Sequence, residues 1–120
     1  MGVHLAITGS VDRRMQVEPI TLQRVLVVED DPIAQARALR LLREVAGDAV
    51  QVEVLADLAS AGAWLDAGKP CDLALVDVQL PDGDGTDFIA ALRTRRPALP
   101  AVIVSSWADE GTILQALRNG

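Results

Sequence analysis

An open α/β sheet of parallel strands, with helices packed on its faces, is the fold class that this 120-residue sequence predicts. Two observations carry the prediction. Short, nearly all-apolar runs at Val25–Val28, Leu73–Val76 and Ala101–Val104 have the pattern of strands buried on both faces of a parallel sheet. Between them lie stretches with helical spacing, bounded by capping residues and glycines, which is the alternation of a βαβ chain. One domain with a modest core suits the length. Half of the residues are hydrophobic and almost all of these are aliphatic, with two Trp, one Phe and no Tyr.

Taken in order, residues 1–23 read as an N-terminal extension and residues 24–120 as the domain. Val3 to Thr8 alternates as a short strand would, Gly9 and Ser10 make a turn, and the stretch to Gln23 is mixed and polar around Pro19. Its apolar piece is too short for a signal-peptide core or a membrane span. Ala6 stands where N-myristoylation wants Ser or Thr. His4, the sole histidine, has no neighbouring ligand or catalytic partner in sequence and reads as an ordinary strand or surface residue.

The first buried strand ends in Glu29, Asp30 and Asp31 before Pro32. Asp followed by Pro at the first helical position is a normal helix start, so Asp31 reads as a cap. The helix from Pro32 to Ala46 carries a stripe of Ile33, Arg37, Ala38, Leu41, Leu42 and Val45, and Gly47 ends it. Val50, Val52 and Val54 alternate as a half-exposed edge strand. Asp57 caps a second helix with Leu58, Ala61, Trp64 and Leu65, ending at Gly68, with Trp64 assigned to packing. Phe88, Ile89 and Leu92 build a third helix that stops before Pro97, and Arg93, Arg95 and Arg96 suit the dipole at its end. A final helix is expected from about Asp109 to Arg118.

Asp77 closes the strand beginning at Leu73, and Pro81 with the Asp-Gly pairs at 82–85 makes a loop after it. Parallel neighbours ending at one edge bring Asp77 together with Glu29 and Asp30, at the edge where ligands bind in open α/β sheets. Like charges about 4 Å apart repel by roughly 1 kcal/mol in water and roughly 4 kcal/mol at an effective dielectric near 20, so the cluster calls for a cation. Carboxylate oxygens are what Mg²⁺ prefers. Ser105 and Ser106 reach the same edge from the strand at Ala101–Val104. A net charge of −6 argues against direct nucleic-acid binding. Cys71, the single cysteine, excludes an internal disulfide, fits a reducing cytoplasm, and reads as an inert thiol.

Val-Leu-Val-Val-Glu-Asp-Asp-Pro at 25–32, Leu-Val-Asp-Val-Gln-Leu-Pro-Asp-Gly-Asp-Gly at 75–85 and Val-Ile-Val-Ser-Ser at 102–106 resemble the receiver domain of two-component response regulators. The resemblance implies a flavodoxin-like, doubly wound sheet of strand order 2-1-3-4. It implies a cytoplasmic phosphoacceptor, not an enzyme, in which Asp77 takes a phosphoryl group from a sensor histidine kinase and switches partner interactions. Glu29, Asp30 and Asp77 would hold Mg²⁺ with the backbone carbonyl of Gln79, and Ser105 would contact the phosphoryl oxygen. Trp107 would flank the site. A haloacid-dehalogenase phosphatase wants a second Asp two positions after the nucleophile, where Gln79 stands. A flavodoxin would place a phosphate beside the first strand, where Glu29-Asp30-Asp31 repels one.

The resemblance ends early. A receiver closes its sheet with a fifth strand, carrying a lysine at its end, and a fifth helix, and Gly120 comes before either. Lys69, the only lysine, precedes the third strand and belongs at the opposite end of the sheet from Asp77. The alternative expectation is therefore a phosphorylation-defective interaction or dimerisation module. Ala101–Val104 would be an uncovered edge, closed by Val3–Thr8 of the same or a second chain or by self-association into a homodimer.

Overall fold

The computed structural model describes residues 22–105, and its centre is a pair of strands apolar on both faces. These are β1 (Arg24–Val28) and β3 (Leu73–Asp77). Every residue from Val25 to Val28 and from Leu73 to Val76 is buried. Around them run α1 (Pro32–Ala46), β2 (Gln51–Leu55), α2 (Leu58–Ala67), two short strands β4 (Gln79–Leu80) and β5 (Gly83–Asp84), α3 (Gly85–Arg95) and β6 (Ala101–Val104). The main sheet is parallel with order β2-β1-β3-β6, which is the expected 2-1-3-4 once the two short strands are set aside.

Period-two alternation divides the core between the two faces. Val25, Val27, Leu73, Leu75 and Val104 pack with Ala38, Leu41 and Leu42 of α1. Leu26, Val28, Ala74 and Val76 pack with Ala61, Trp64 and Leu65 of α2 and with Phe88, Ile89 and Leu92 of α3. Leu22 joins the α1 side, so the chain enters the core before its first strand begins. At the β2 edge no residue is fully buried, as the alternating valines predict.

The caps form where their residue types place them. Asp31 accepts from the Ala34 N–H at 3.0 Å and Asp57 from the Ser60 N–H at 2.7 Å, the bonds that satisfy free amides of a helix start. Gly68 ends α2 in the left-handed region, at φ 67°, where a side chain is strained. Trp64 is core, with the Arg96 guanidinium 5.3 Å from its ring centroid. Arg96 also donates to the Lys69 carbonyl at 2.7 Å, and Arg95 pairs with Asp66 at 2.7 Å. The half-buried Cys71 thiol donates to the Leu73 carbonyl at 3.2 Å, and burial pushes its pKa up, which suits an inert thiol.

Three expectations need correction or extension. Ile33 does not join the buried stripe of α1: it is 66% exposed, and Arg37 is exposed as well. Ile33 lies on the solvent side of the first turn of α1, whose core contact is made by the next residue, Ala34. The loop after Asp77 is not irregular but holds the antiparallel β4–β5 pair, Gln79 facing Asp84 and Leu80 facing Gly83. Among the described residues β6 pairs only with β3, and Ala101, Val102 and Ile103 are half-buried. Val3–Thr8, His4, Ser106, Trp107 and the helix expected at 109–118 lie outside the described residues.

Two glycines give a paired prediction. A Cβ on Gly85 would overlap the Asp77 carbonyl oxygen and meet Val76 Cγ1 at 2.9 Å, whereas one on Gly62, inside α2, meets nothing within 4 Å. Gly85→Ala should therefore lose about 2–3 kcal/mol in urea denaturation through backbone overlap. Gly62→Ala should gain about 0.5–1 kcal/mol by helix propensity. A neutral Gly85→Ala would contradict the close approach.

Candidate functional site

Register and alternation together assemble the acids. Val28 is paired with Val76, so Glu29 and Asp77, the next residues along, end their strands level with each other. Glu29 keeps the odd-numbered phase of Val25 and Val27, and Asp77 that of Leu73 and Leu75, so both belong to the face packed by α1. Asp77 is paired in turn with Val104, which puts Ser105 one step beyond it. Asp30 follows Glu29 as the chain leaves the sheet.

Glu29, Asp30 and Asp77 each offer a carboxylate oxygen within 4.8 Å of the others. They lie in a cleft of about 660 Å³ lined also by Asp31, Gln79, Pro81 and Ser105. All five residues singled out from the sequence for phosphoryl or metal chemistry thus border one cleft. Lys69 is at the other end of the sheet, as expected, 3.5 Å from Glu53 and beside a separate groove with Arg24, Pro70 and Cys71.

Glu29 is the strained member. Only 2% exposed, it accepts the Asp31 N–H on Oε1 at 3.0 Å, while its Oε2 is buried without a partner. Its backbone is held from both sides: the N–H donates to the Leu55 carbonyl at 2.8 Å, and the carbonyl accepts from Gln35 Nε2 at 2.6 Å. Burial pushes the Glu29 pKa from 4.5 up to about 7. The neighbouring Asp77 carboxylate and the charge of Asp30 act in the same direction, against the Asp31 N–H, which lowers it. A buried carboxylate oxygen with no donor, facing two further carboxylates, is a fit for a hard cation that takes oxygen ligands.

The loop between Asp77 and α3 is fastened at several points. Gln79 N–H lies 3.4 Å from Asp77 Oδ1, and Gly85 N–H donates to the Val78 carbonyl at 2.7 Å. Asp84 caps α3, accepting from both the amide and the hydroxyl of Thr86 at 2.8 Å. Asp82 reaches across to α2, accepting from Leu58 N–H at 2.7 Å and Ala59 N–H at 3.0 Å. Sequence reasoning missed Gln35, Asp82 and Gly85. Gln35 sits in the polar part of the α1 pattern, and the Asp-Gly pairs signal only a turn.

The raised Glu29 pKa sets a pH dependence whose sign is definite. Between pH 4.5 and about 7 the folded chain holds a proton on Glu29 that the unfolded chain has released, so stability falls as pH rises through that window. Asp57 and Asp84 are lowered by their Ser60 and Thr86 hydrogen bonds, so the stability they contribute is lost only in more acidic solution. In chelator, urea midpoints should drop from pH 5 to pH 7.5, and Glu29→Gln should flatten the drop. An equal slope in both proteins would contradict the burial.

Comparison with known proteins gives the family and the fold. A family model described as the response regulator receiver domain matches residues 25–120. The KDP operon transcriptional regulatory protein KdpE of Escherichia coli is 36% identical over 99 residues, which cover 82% of this chain and 42% of that protein. Response regulator protein PilR of Pseudomonas aeruginosa is 30% identical over 99 residues, 82% of this chain and 21% of its own length. The chain spans half or less of the length of such curated relatives. Among solved structures, the MaeR response regulator bound to beryllium trifluoride superposes with a TM-score of 0.61 at 26% identity, covering 79% of this chain and 78% of that one. A CheY-like receiver domain protein from Methanospirillum hungatei gives 0.60 at 25% identity, covering 81% and 77%. No helix among the described residues is long and apolar enough to cross a membrane. A family match that begins inside the first central strand and runs to Gly120, on a sheet of the same order, makes this chain a member of the response regulator receiver domain family.

Proposed function

We propose that Asp77 accepts a phosphoryl group from the phosphohistidine of a sensor histidine kinase, and that the domain thereby switches its partner interactions. The observation that carries this reading is the convergence of Glu29, Asp30 and Asp77 at the C-terminal ends of neighbouring parallel strands, in a cleft shared with Ser105. In the proposed step an Asp77 carboxylate oxygen attacks phosphorus in line, the bond from phosphorus to the histidine nitrogen breaks, and the nitrogen keeps the electron pair. Glu29, Asp30, Asp77 and the backbone carbonyl of Gln79 are the groups that would hold Mg²⁺. Bound there, the ion would neutralise charge on the transferring group.

The chain's own residues do the rest. Asp77 is the nucleophile of the set: it is half-buried and opens to the cleft, while Glu29 is enclosed and serves the cation. The Ser105 hydroxyl can donate a hydrogen bond to a phosphoryl oxygen on Asp77. The MaeR relative binds beryllium trifluoride, which has the tetrahedral shape and charge of a phosphoryl group on a carboxylate, and that supports the reading by analogy. The domain acts as a phosphoacceptor that assists its own phosphorylation and dephosphorylation.

Incubation with acetyl phosphate and Mg²⁺, followed by intact mass, tests the assignment. The wild-type chain should gain one phosphoryl group and Asp77→Asn none, while Ser105→Ala should be phosphorylated at least tenfold more slowly, roughly the effect of removing one hydrogen-bond donor to developing charge. Undiminished labelling of Asp77→Asn would sink it.

A further inference from the structure

Asp82 is an exposed loop carboxylate with an unusual pair of partners. Its two oxygens accept from consecutive amides, Leu58 N–H at 2.7 Å and Ala59 N–H at 3.0 Å, in the first turn of α2. The helix already has its own cap, because Asp57 takes the Ser60 N–H. Asp82 therefore supplies acceptors to the two amides that the local cap leaves open, from 24 residues away. Gly83 adds a second contact to the same turn. At φ 153° it lies against Leu58 so closely that a Cβ there would be 2.7 Å from Leu58 Cδ1.

These contacts hold the tip of the segment that carries Gln79. The base of that segment is closed by Gly85 N–H on the Val78 carbonyl and by the β4–β5 pair, where Gln79 faces Asp84 and Leu80 faces Gly83. With the base closed and the tip clamped, the peptide at Gln79 is oriented from outside the acid cluster. We infer that Asp82 is a positioning residue: by clamping the phosphoacceptor loop to the first turn of α2, it sets the Gln79 carbonyl for the cation that Glu29, Asp30 and Asp77 hold. The inference rests on the metal reading proposed above. It adds that α2 and the loop move together, so the affinity of the acid cluster for a cation depends on a residue outside the cluster.

The alternative is that Asp82 only stabilises α2, and Asp57 provides the comparison. Asp57→Ala removes a cap from the same helix without touching the loop, whereas Asp82→Ala removes the clamp. In the full chain, Mg²⁺ affinity is measured by titration, and exchange of the Gly85 amide is followed by NMR in metal-free buffer. Asp82→Ala should weaken Mg²⁺ about tenfold, the low end of what loss of a partner holding a metal ligand does, and should speed Gly85 exchange. Asp57→Ala should change neither, although both variants lose thermal stability. Asp82→Asn, which keeps one acceptor, should fall between wild type and Asp82→Ala and replaces it if the alanine variant fails to fold. Equal Mg²⁺ affinity and equal Gly85 exchange in wild type and the Asp82 variants would overturn the clamp. If the wild type itself binds no Mg²⁺, the metal reading fails. The exchange data then decide the clamp separately, faster Gly85 exchange in the Asp82 variant supporting it and unchanged exchange rejecting it.

Discussion

The pairing of β1 with β3 is the constraint on which the rest depends. With Val28 opposite Val76, Glu29 and Asp77 finish level and in the same phase of alternation, on the α1 face. A slip of one residue would move one of them to the other face. What prevents the slip is the apolar run behind each acid. Burying Val25 to Val28 is worth roughly 1.5–3 kcal/mol per side chain, so the four together outweigh a repulsion of roughly 4 kcal/mol between two acids at their ends. Packing thus forces the carboxylates together, and the strain falls on the cluster. The buried, unpartnered Glu29 oxygen and its pKa near 7 are the signs of it.

Strain of this kind turns into function when a ligand relieves it. A cation that binds the folded cluster and not the unfolded chain stabilises the fold by mass action. Under the proposed function, the same neutralisation would let a negatively charged phosphoryl donor approach Asp77. The loop from Val78 to Asp84 is built to match. Gly85 is pressed on the Asp77 carbonyl, Asp84 caps α3, and Asp82 reaches α2, so the segment beside the acids is tied to two helices. The Asp82 and Asp84 ties are backbone amides meeting carboxylates, and the Gly85 N–H meets the Val78 carbonyl, which fixes geometry without adding bulk to the cleft.

Much of this is legible in the sequence because it is written in local patterns. Apolar runs ending in acids mark strand ends, and Asp31 before Pro32 and Asp57 before Leu58 mark helix starts. A run such as Leu73–Val76 needs no knowledge of its neighbours to read as a two-sided strand. The parts that escaped depend on contacts distant in sequence or on position in the fold. Ile33 has the right spacing for the α1 stripe but faces solvent, at 66% exposure, while Ala34 beside it meets the core. Asp82 looks like any turn aspartate until α2 is placed beside it, and Gln35 like any polar helix residue until Glu29's carbonyl comes within 2.6 Å. Gly85 is required by how close its backbone comes to Asp77, which no spacing rule encodes.

The central claim is that folding drives three carboxylates into a site completed by a divalent cation. The most direct measurement is the unfolding midpoint of the chain with and without millimolar Mg²⁺ at neutral pH, in the wild type and in Asp77→Asn. The account predicts a rise in the wild-type midpoint on adding Mg²⁺. It predicts a metal-free Asp77→Asn that starts more stable, because one like charge is gone, and that gains much less from the metal. A wild-type midpoint indifferent to Mg²⁺, or an equal gain in the variant, would contradict it.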